Sequence, residues 1–190
     1  LHAGTRSATA IAIICGTGMN AVGVTARGRV IRYPALGTLS GDWGGGDGLG
    51  RTALWHAARA IDGRGPATSL TIALPRVFGL QHITQLVEAI HLGRLNEGAF
   101  SQLTPVLFAE AEAGDSVAAA VVDRNAEEIA LLARATLQAM AVDDHEDVPL
   151  VLGGGVVAAC SRRLMRQIAD RVAQLAPTAV IQVVDAPPVL

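Results

Sequence analysis

The chain has 190 residues, of which 51% are apolar and 17% charged, and its formal net charge at pH 7 is −2. This length and composition suffice for one substantial hydrophobic core, and the near-neutral charge lacks the basic stripe of nucleic-acid-binding proteins. No apolar run reaches the roughly 18 residues of a membrane span and no signal-peptide pattern is present, so we expect a cytoplasmic protein that binds neither nucleic acid nor membrane.

The first forty residues predict an antiparallel meander of three strands. The segments Ala8–Gly16, Asn20–Ala26 and Arg29–Leu36 are rich in apolar residues and are separated by two or three residues. Connections this short join antiparallel neighbours. The first segment is almost wholly apolar, which is typical of a strand buried on both faces.

The turn between the first two strands is Gly16-Thr17-Gly18, a hydroxyl residue between two residues without side chains. Such a turn exposes backbone N–H groups that can bind a phosphate oxygen. The same three residues also fit a tight hairpin turn, so the motif alone leaves both interpretations open.

A segment with seven glycines in fifteen positions follows, from Gly37 to Arg51. It is too rich in glycine for a regular element, and we expect a long functional loop. Asp42 can accept hydrogen bonds from sugar hydroxyls, bind Mg²⁺ through water or act as a base, while an Asx-turn role is the alternative for it and still more for Asp47. Trp43 fits either a sugar-stacking or a structural role.

The pattern is helical from Thr52 to about Ala141. Helices are predicted from Arg51 to Gly63, from His82 to Gly93, and from Asp115 to Met140 with Asp115 or Ser116 as the cap. The charged segment Asp143–Pro149 lacks ordered spacing of its acids, so it is interpreted as a solvated connection.

The last quarter of the chain predicts a strand, a glycine turn, a helix and a strand. The strands are Leu150–Leu152 and Thr178–Pro188, the helix is Ser161–Leu175, and the turn is Gly153-Gly154-Gly155. A nucleotide can lie against such a bare turn near a helix start, although a close strand–helix crossing also explains it. Its spacing fits neither a dinucleotide-binding nor a P-loop motif. Together the elements predict an α/β fold with a mixed sheet.

The remaining reactive side chains do not form a recognisable site. Cys15 and Cys160 lie far apart in apolar or small-residue contexts and are interpreted as buried free thiols. His56, His82 and His91 fall in helix patterns without metal-ligand or triad spacing, so no metal site is predicted from the sequence.

The order of the motifs resembles the C-terminal half of the BadF/BadG/BcrA/BcrD ATPases, most closely their N-acetylglucosamine kinase branch. The resemblance extends from Leu1 to Leu190 and rests on four stretches, LHAGTRSATAIAIICGTGMNAVGV, LSGDWGGGDGLGRTAL, VPLVLGGGVV and DAPPVL. It implies a ribonuclease H-like, actin-like ATPase domain with helices on the faces of the mixed sheet. It also implies ATP-dependent phosphorylation of an amino sugar or hexose in carbohydrate metabolism.

The resemblance implies a role for each glycine turn and for four further residues. Gly16–Gly18 would face the β- and γ-phosphates of ATP, and Gly153–Gly155 would lie against adenine and ribose. Asn20 would lie at the boundary between phosphate and sugar. The other sugar-binding residues would be Asp42, through its hydrogen bonds to hydroxyls, with Tyr33 and Ala35 near the same pocket.

The resemblance also implies that part of the active site lies outside this chain. The first phosphate motif and the catalytic aspartate, which acts as base, belong to an N-terminal lobe, the aspartate a few residues before the position of Leu1. We therefore expect residues 1–190 to be one lobe that needs its own N-terminal lobe and is inactive alone. The implied reaction is in-line phosphoryl transfer with Mg²⁺ bridging the phosphates. The resemblance also suggests that the protein forms a homodimer.

This chain departs from the pattern of its relatives at two places that concern the sugar. Trp43 stands where many relatives have an acid, and Ala35-Leu36 replaces their Gly-Trp, which leaves the identity of the sugar open.

Two other functions are alternatives to the kinase. One is the ATPase activator of a 2-hydroxyacyl-CoA dehydratase, whose iron–sulfur cluster needs thiolates between subunits. Because Cys15 lies in a strand and Cys160 at a helix start, no exposed pair is expected. The other alternative is a non-catalytic sugar or nucleotide sensor.

Overall fold

The computed structural model describes residues 5–96, 98–143, 145–159 and 161–184. Within them the strands are β1 (Ala10–Cys15), β2 (Met19–Val24), β3 (Val30–Arg32), β4 (Val148–Gly153) and β5 (Ala179–Val183). A 3₁₀ turn covers Gly37–Ser40, and the helices are α1 (Gly45–Ile61), α2 (Leu70–Arg76), α3 (Ile83–His91), α4 (Ala99–Glu112), α5 (Ser116–Met140), α6 (Gly155–Ala158) and α7 (Arg162–Leu175). None of the helices in this described part combines the length and apolar character needed to cross a bilayer.

The five strands form one mixed sheet in the order β3-β2-β1-β4-β5. The β1–β2 and β2–β3 pairs are antiparallel, whereas β1–β4 and β4–β5 are parallel. The predicted α/β fold with an initial antiparallel meander is therefore confirmed. Since β1 and β4 are parallel, their carboxyl ends meet at one edge, with Ile14 opposite Gly153.

The chain divides into two compact units. The first contains residues 1–45 and 125–190 and carries the whole sheet, whereas the second, Gly46–Arg124, is helical. The apolar core of the second unit includes fully buried leucines on three helices, namely Leu49, Leu70, Leu74, Leu103 and Leu107. Helix α5, whose residues up to Arg124 belong to this unit, begins at an Asp115 cap, because Asp115 Oδ1 accepts a hydrogen bond of 2.8 Å from the Ala118 N–H.

The core of the first unit is built on β1 and on the carboxyl half of α5. Ile11 and Ile13 are completely buried, and Ala10 and Ala12 nearly so, which confirms that β1 is covered on both faces. On β2 the absence of a side chain at Gly23 lets α5 approach closely. A Cβ atom there would lie 2.6 Å from Met140 Sδ and 2.7 Å from Thr136 Cγ2.

The prediction that Gly37–Arg51 is one irregular loop is wrong in its second half, because α1 already begins at Gly45. Helix propensity is low for glycine, but tertiary packing outweighs it here. Leu49 is completely buried, and a Cβ at Gly50 would lie only 1.9 Å from the Phe100 carbonyl oxygen. Gly50 is thus the residue that allows α4 to pack against α1 at this point.

Strand β3 is also shorter than the predicted Arg29–Leu36 and ends at Arg32. Pro34 lacks an N–H group to donate to a neighbouring strand, and Ala35 has a φ of 53°, which breaks the extended backbone. The last predicted strand, Thr178–Pro188, ends at Val183, and its residues after 184 lie outside the described ones.

We expect Gly23→Ala to lower the free energy of unfolding by about 2 kcal/mol, because the new methyl group overlaps Thr136 and Met140. Urea unfolding measures the change. The matched control is Gly48→Ala in α1, where nothing lies within 4 Å of the Cβ position and helix propensity favours alanine. Equal stability of the two variants would contradict the close packing of β2 on α5.

Candidate functional site

The Gly16–Gly18 turn joins β1 to β2 and presents an open face. Its backbone closes through a hydrogen bond of 2.9 Å from the Gly16 N–H to the Gly18 oxygen. Nothing lies within 4 Å of a Cβ position at Gly16 or Gly18, and Thr17 is exposed. The turn is therefore a tight hairpin that also leaves bare backbone open to a ligand, so the two interpretations of the sequence are compatible.

The second glycine turn lies beside the first, because both follow the carboxyl ends of the neighbouring parallel strands β1 and β4. Gly154 has a φ of 95°, and a Cβ there would lie 2.5 Å from the Cys15 oxygen. At Gly155, by contrast, nothing lies within 4 Å of that position. One glycine of this turn thus serves packing, and the next faces open space.

The amino end of α1 packs against the first turn from another direction. Gly45 has a φ of 73°, and a Cβ there would lie 2.5 Å from Gly18 Cα and 2.6 Å from the Thr17 oxygen. Sequence reasoning missed this contact because it treated Gly45 as part of an irregular loop. Three glycine-rich segments therefore converge on the carboxyl end of β1.

Asp42 is partly buried in a hydrogen-bonded turn directly before α1. Its Oδ2 accepts a hydrogen bond of 2.5 Å from the Ser40 hydroxyl, and its own N–H donates to the Gly37 oxygen over 3.0 Å. The Ser40 hydroxyl oxygen accepts from the Leu36 N–H at 2.7 Å. The carboxylate thus takes part in this turn through the Ser40 hydroxyl, and within the described residues Oδ1 has no hydrogen-bond partner. The carboxylate is held by one oxygen and keeps the other available.

Asn20 belongs to a row of three paired residues on β2, β1 and β4, at the edge of the sheet where the two glycine turns lie. It is exposed on β2 opposite Ile14 of β1, and Ile14 in turn is opposite Gly153 of β4. Ile14 is 39% exposed although it belongs to the most apolar strand of the chain. Sequence analysis did not single out Ile14, which lies between the two predicted binding regions.

The structure shows a side-chain hydrogen bond for Tyr33 and an unusual backbone conformation for Ala35. The Tyr33 hydroxyl accepts a hydrogen bond of 3.2 Å from Thr136 Oγ1, which lies on α5. Ala35 adopts a left-handed backbone, which is uncommon for a residue with a side chain. No hydrogen bond among the described residues joins either of them to Asp42. Trp43 is half-buried, and both of its predicted roles stay open.

Cys15 lies directly before the first turn and is completely buried. Burial raises the pKa of its thiol to about 11, although the Gly45 N–H and the Asn125 amide act in the opposite direction. The thiol is therefore neutral near pH 7, as predicted for a buried free cysteine, whereas Cys160 lies outside the described residues. In the part of the chain described, no three His, Cys, Asp or Glu side chains are grouped so as to hold a metal ion.

Comparisons with known proteins found a matching family model and similar proteins for this chain. The model of the BadF/BadG/BcrA/BcrD ATPase family matches residues 1–185. An N-acetyl-D-glucosamine kinase from Dictyostelium discoideum is 32% identical over 146 residues, which are 76% of this chain and 46% of that protein. The chain spans about half the length of the curated relatives that it matches.

Two solved structures share the fold. A Chromobacterium violaceum protein assigned to the N-acetylglucosamine kinases has a TM-score of 0.68 and 24% identity, over 92% of this chain and 55% of that one. A ROK family glucokinase from Streptomyces griseus, solved with glucose and AMPPNP, has a TM-score of 0.54 and 18% identity over 94% of this chain and 56% of that one.

The contrast between neighbouring glycines at the second turn can be tested by stability alone. We expect Gly154→Ala to lower the free energy of unfolding by about 3 kcal/mol, since it combines a positive φ with overlap of the Cys15 backbone. Gly155→Ala, the matched control, is expected to stay within about 0.5 kcal/mol of the parent. Similar losses in both variants, measured by urea unfolding, would contradict the geometry of this turn.

Proposed function

The chain belongs to the BadF/BadG/BcrA/BcrD ATPase family, and on that premise we propose that it is the nucleotide- and sugar-facing lobe of an ATP-dependent sugar kinase. The proposed acceptor is an amino sugar, with N-acetylglucosamine as the first candidate, or a hexose. The observation that carries the proposal is the convergence of three glycine-rich segments on the carboxyl end of β1. The names of the Dictyostelium and Streptomyces relatives support an acceptor of this class.

The open glycines fit a nucleotide that lies along the carboxyl edge of β1 and β4. Gly154 is packed on Cys15 and Gly153 is buried beside Ile14, so Gly155 is the glycine of this turn that can offer bare backbone to adenine and ribose. The Gly16–Gly18 turn offers its open face to the terminal phosphates. Gly45 packs closely on the backbone of that turn and supports it.

ATP would supply the transferred phosphoryl group, and Mg²⁺ would neutralise its developing charge. This chain's own part is to hold the phosphates by backbone groups at Gly16–Gly18 and to orient them for in-line transfer.

Asp42 is the proposed recognition residue for sugar hydroxyls. Its Oδ2 is held by Ser40, so Oδ1 is oriented in advance and can accept a hydrogen bond from the acceptor. Asn20, in the row that leads to Ile14, would lie between sugar and phosphates, with Tyr33 and Ala35 in the wall of the same pocket. Trp43 and Ala35-Leu36, which depart from the pattern of many relatives, would adapt the pocket to a particular sugar.

The rest of the active site is proposed to lie in an N-terminal lobe of the same protein. The relatives are about twice as long as the matched part, which leaves room for a lobe that carries the catalytic aspartate and the first phosphate motif. Residues 1–190 alone would then be inactive. Since ATP is the proposed donor, we place the enzyme in the cytoplasm, and a homodimer is its proposed assembly.

An ADP-release assay of the full-length protein with a panel of hexoses and N-acetylhexosamines tests this function. We expect at least one sugar, N-acetylglucosamine first, to stimulate ADP release, and residues 1–190 alone to give none. If no sugar stimulates release, the kinase proposal is wrong. Calorimetric binding of a sugar without turnover would then favour a sensor. The activator alternative has less support, because Cys15 is buried and neutral.

Thr17→Val tests the phosphate turn. Because Thr17 is exposed, we expect the free energy of unfolding to change by less than about 0.5 kcal/mol. The turnover number should fall at least tenfold, since a hydroxyl that contacts the transferred group is lost. Thr84→Val, at an exposed threonine of α3, is the control and should keep full activity. If the free energy of unfolding falls in proportion to the turnover number, the proposed contact of Thr17 with phosphate is wrong.

Asp42→Asn tests the sugar contact. The amide oxygen can still accept from Ser40, so the turn should persist, whereas the charge that strengthens a hydrogen bond to a sugar hydroxyl is lost. We expect the KM for the sugar to rise about tenfold and the KM for ATP to stay within twofold. The control is Asp47→Asn, which breaks only an exposed ion pair with Arg51. An unchanged sugar KM would count against Asp42.

A further inference from the structure

Asn125, on α5, carries a fully buried amide that lies beside the Cys15 thiol. It is 0% exposed, and neither Nδ2 nor Oδ1 has a hydrogen-bond partner among the described residues. Buried amides almost always have partners, because an unpaired polar group in the interior is costly. Ala126 and Ile129, which are buried on the same helix, are apolar. An apolar residue at position 125 would avoid this cost, so the amide calls for an explanation.

The Asn125 amide lies directly beneath the start of α1. A Cβ at Gly44, where φ is 117°, would lie 2.3 Å from Asn125 Oδ1, so only a glycine lets the backbone rest on this amide. The amide and the Gly45 N–H both lie close to the Cys15 thiol, and each lowers the pKa of that thiol against the larger effect of burial. Asn125 thus lies beside Cys15, the last residue of β1, and beside Gly44, the residue directly before α1.

The same two glycines contact the phosphate-side turn. Gly45 approaches Thr17 and Gly18 so closely that a Cβ would lie about 2.6 Å or less from three of their backbone atoms. Gly44 follows it directly on the amide side. A shift of the Gly44–Gly45 backbone relative to Asn125 must therefore displace the Gly16–Gly18 turn, because no flexible side chain lies between them.

We propose that Asn125 is a positioning residue that sets the Gly16–Gly18 turn through the Gly44–Gly45 backbone. The inference rests on the proposed kinase function for its kinetic consequence. In the structure described here Oδ1 rests on Gly44 without accepting a hydrogen bond. When a nucleotide engages the turn, a small shift of the Gly44–Gly45 peptides brings one of their N–H groups to Oδ1 and stabilises the engaged position.

The kinetic test compares Asn125→Ser with Asn125→Ala in the full-length protein. The two side chains have nearly the same volume, and only serine keeps a hydroxyl that can accept a hydrogen bond. We expect Asn125→Ala to lower kcat at least tenfold with little change in the KM for the sugar, and Asn125→Ser to recover part of that loss. Ile129→Val, on the same buried part of α5, is the control and should keep kcat. Equal kcat values for the parent and both Asn125 variants would overturn the proposal.

A purely structural role is tested by Asn125→Leu, which replaces the amide by an apolar side chain with the same branching and the same number of heavy atoms. If the amide acts only through the turn, the melting temperature stays equal or rises while kcat falls. A lower melting temperature with an unchanged kcat would contradict the proposal. Should this variant fail to fold, the serine and alanine pair still decides the question.

Hydrogen–deuterium exchange separates this inference from the kinase proposal, because it needs no turnover. We expect Asn125→Ala to raise the exchange of amides at residues 16–18 and 44–46, and to leave β4 unchanged. If the parent releases no ADP with any sugar but exchange changes in this way, the kinase proposal fails and the positioning role stands. If the parent is an active kinase and exchange at both segments is unchanged, the positioning role is wrong.

Discussion

The site depends on backbone atoms that meet at the end of β1 with no room for side chains. Gly154 lies against Cys15 on one side, and Gly45 lies against Thr17 and Gly18 on another, in both cases at distances that a Cβ atom would make impossible. The parallel register of β1 and β4 produces the first contact, and the left-handed backbone of Gly45 accompanies the second. The rest of the proposed chemistry needs these contacts, since they fix the open backbone that faces the ligand.

The glycines of the site therefore fall into two physical classes, although the sequence presents them as similar runs. Gly45 and Gly154 have left-handed backbones and fill crowded positions, so they hold the framework together. At Gly16, Gly18 and Gly155 the space for a side chain is empty. A bare backbone beside empty space is what a phosphate or a ribose needs for close approach. Rigidity and access thus come from adjacent residues of the same motifs.

Much of the fold follows from local patterns, and much of the site does not. The meander and the mixed sheet were predictable because Ile11 and Ile13 belong to an almost unbroken apolar run and the turns between strands are short. The start of α1 was missed because glycine propensity is a local signal, whereas the contact of Gly50 with Phe100 is tertiary. The partner of Tyr33 lies 103 positions away on α5, and spacing alone cannot reveal such a pair. The roles of Gly16–Gly18, Asp42 and Gly153–Gly155 came from family resemblance and remain predictions.

The burial of Cys15 has a consequence for how the protein tolerates its chemical surroundings. With a pKa of about 11, only about one thiol in ten thousand is ionised at pH 7, and peroxide attacks the ionised form. The same packing that seats the glycine turns shields this sulfur from solvent. The residue that anchors the turn is therefore protected against oxidants, and in the folded state oxidative stress should leave this part of the molecule intact.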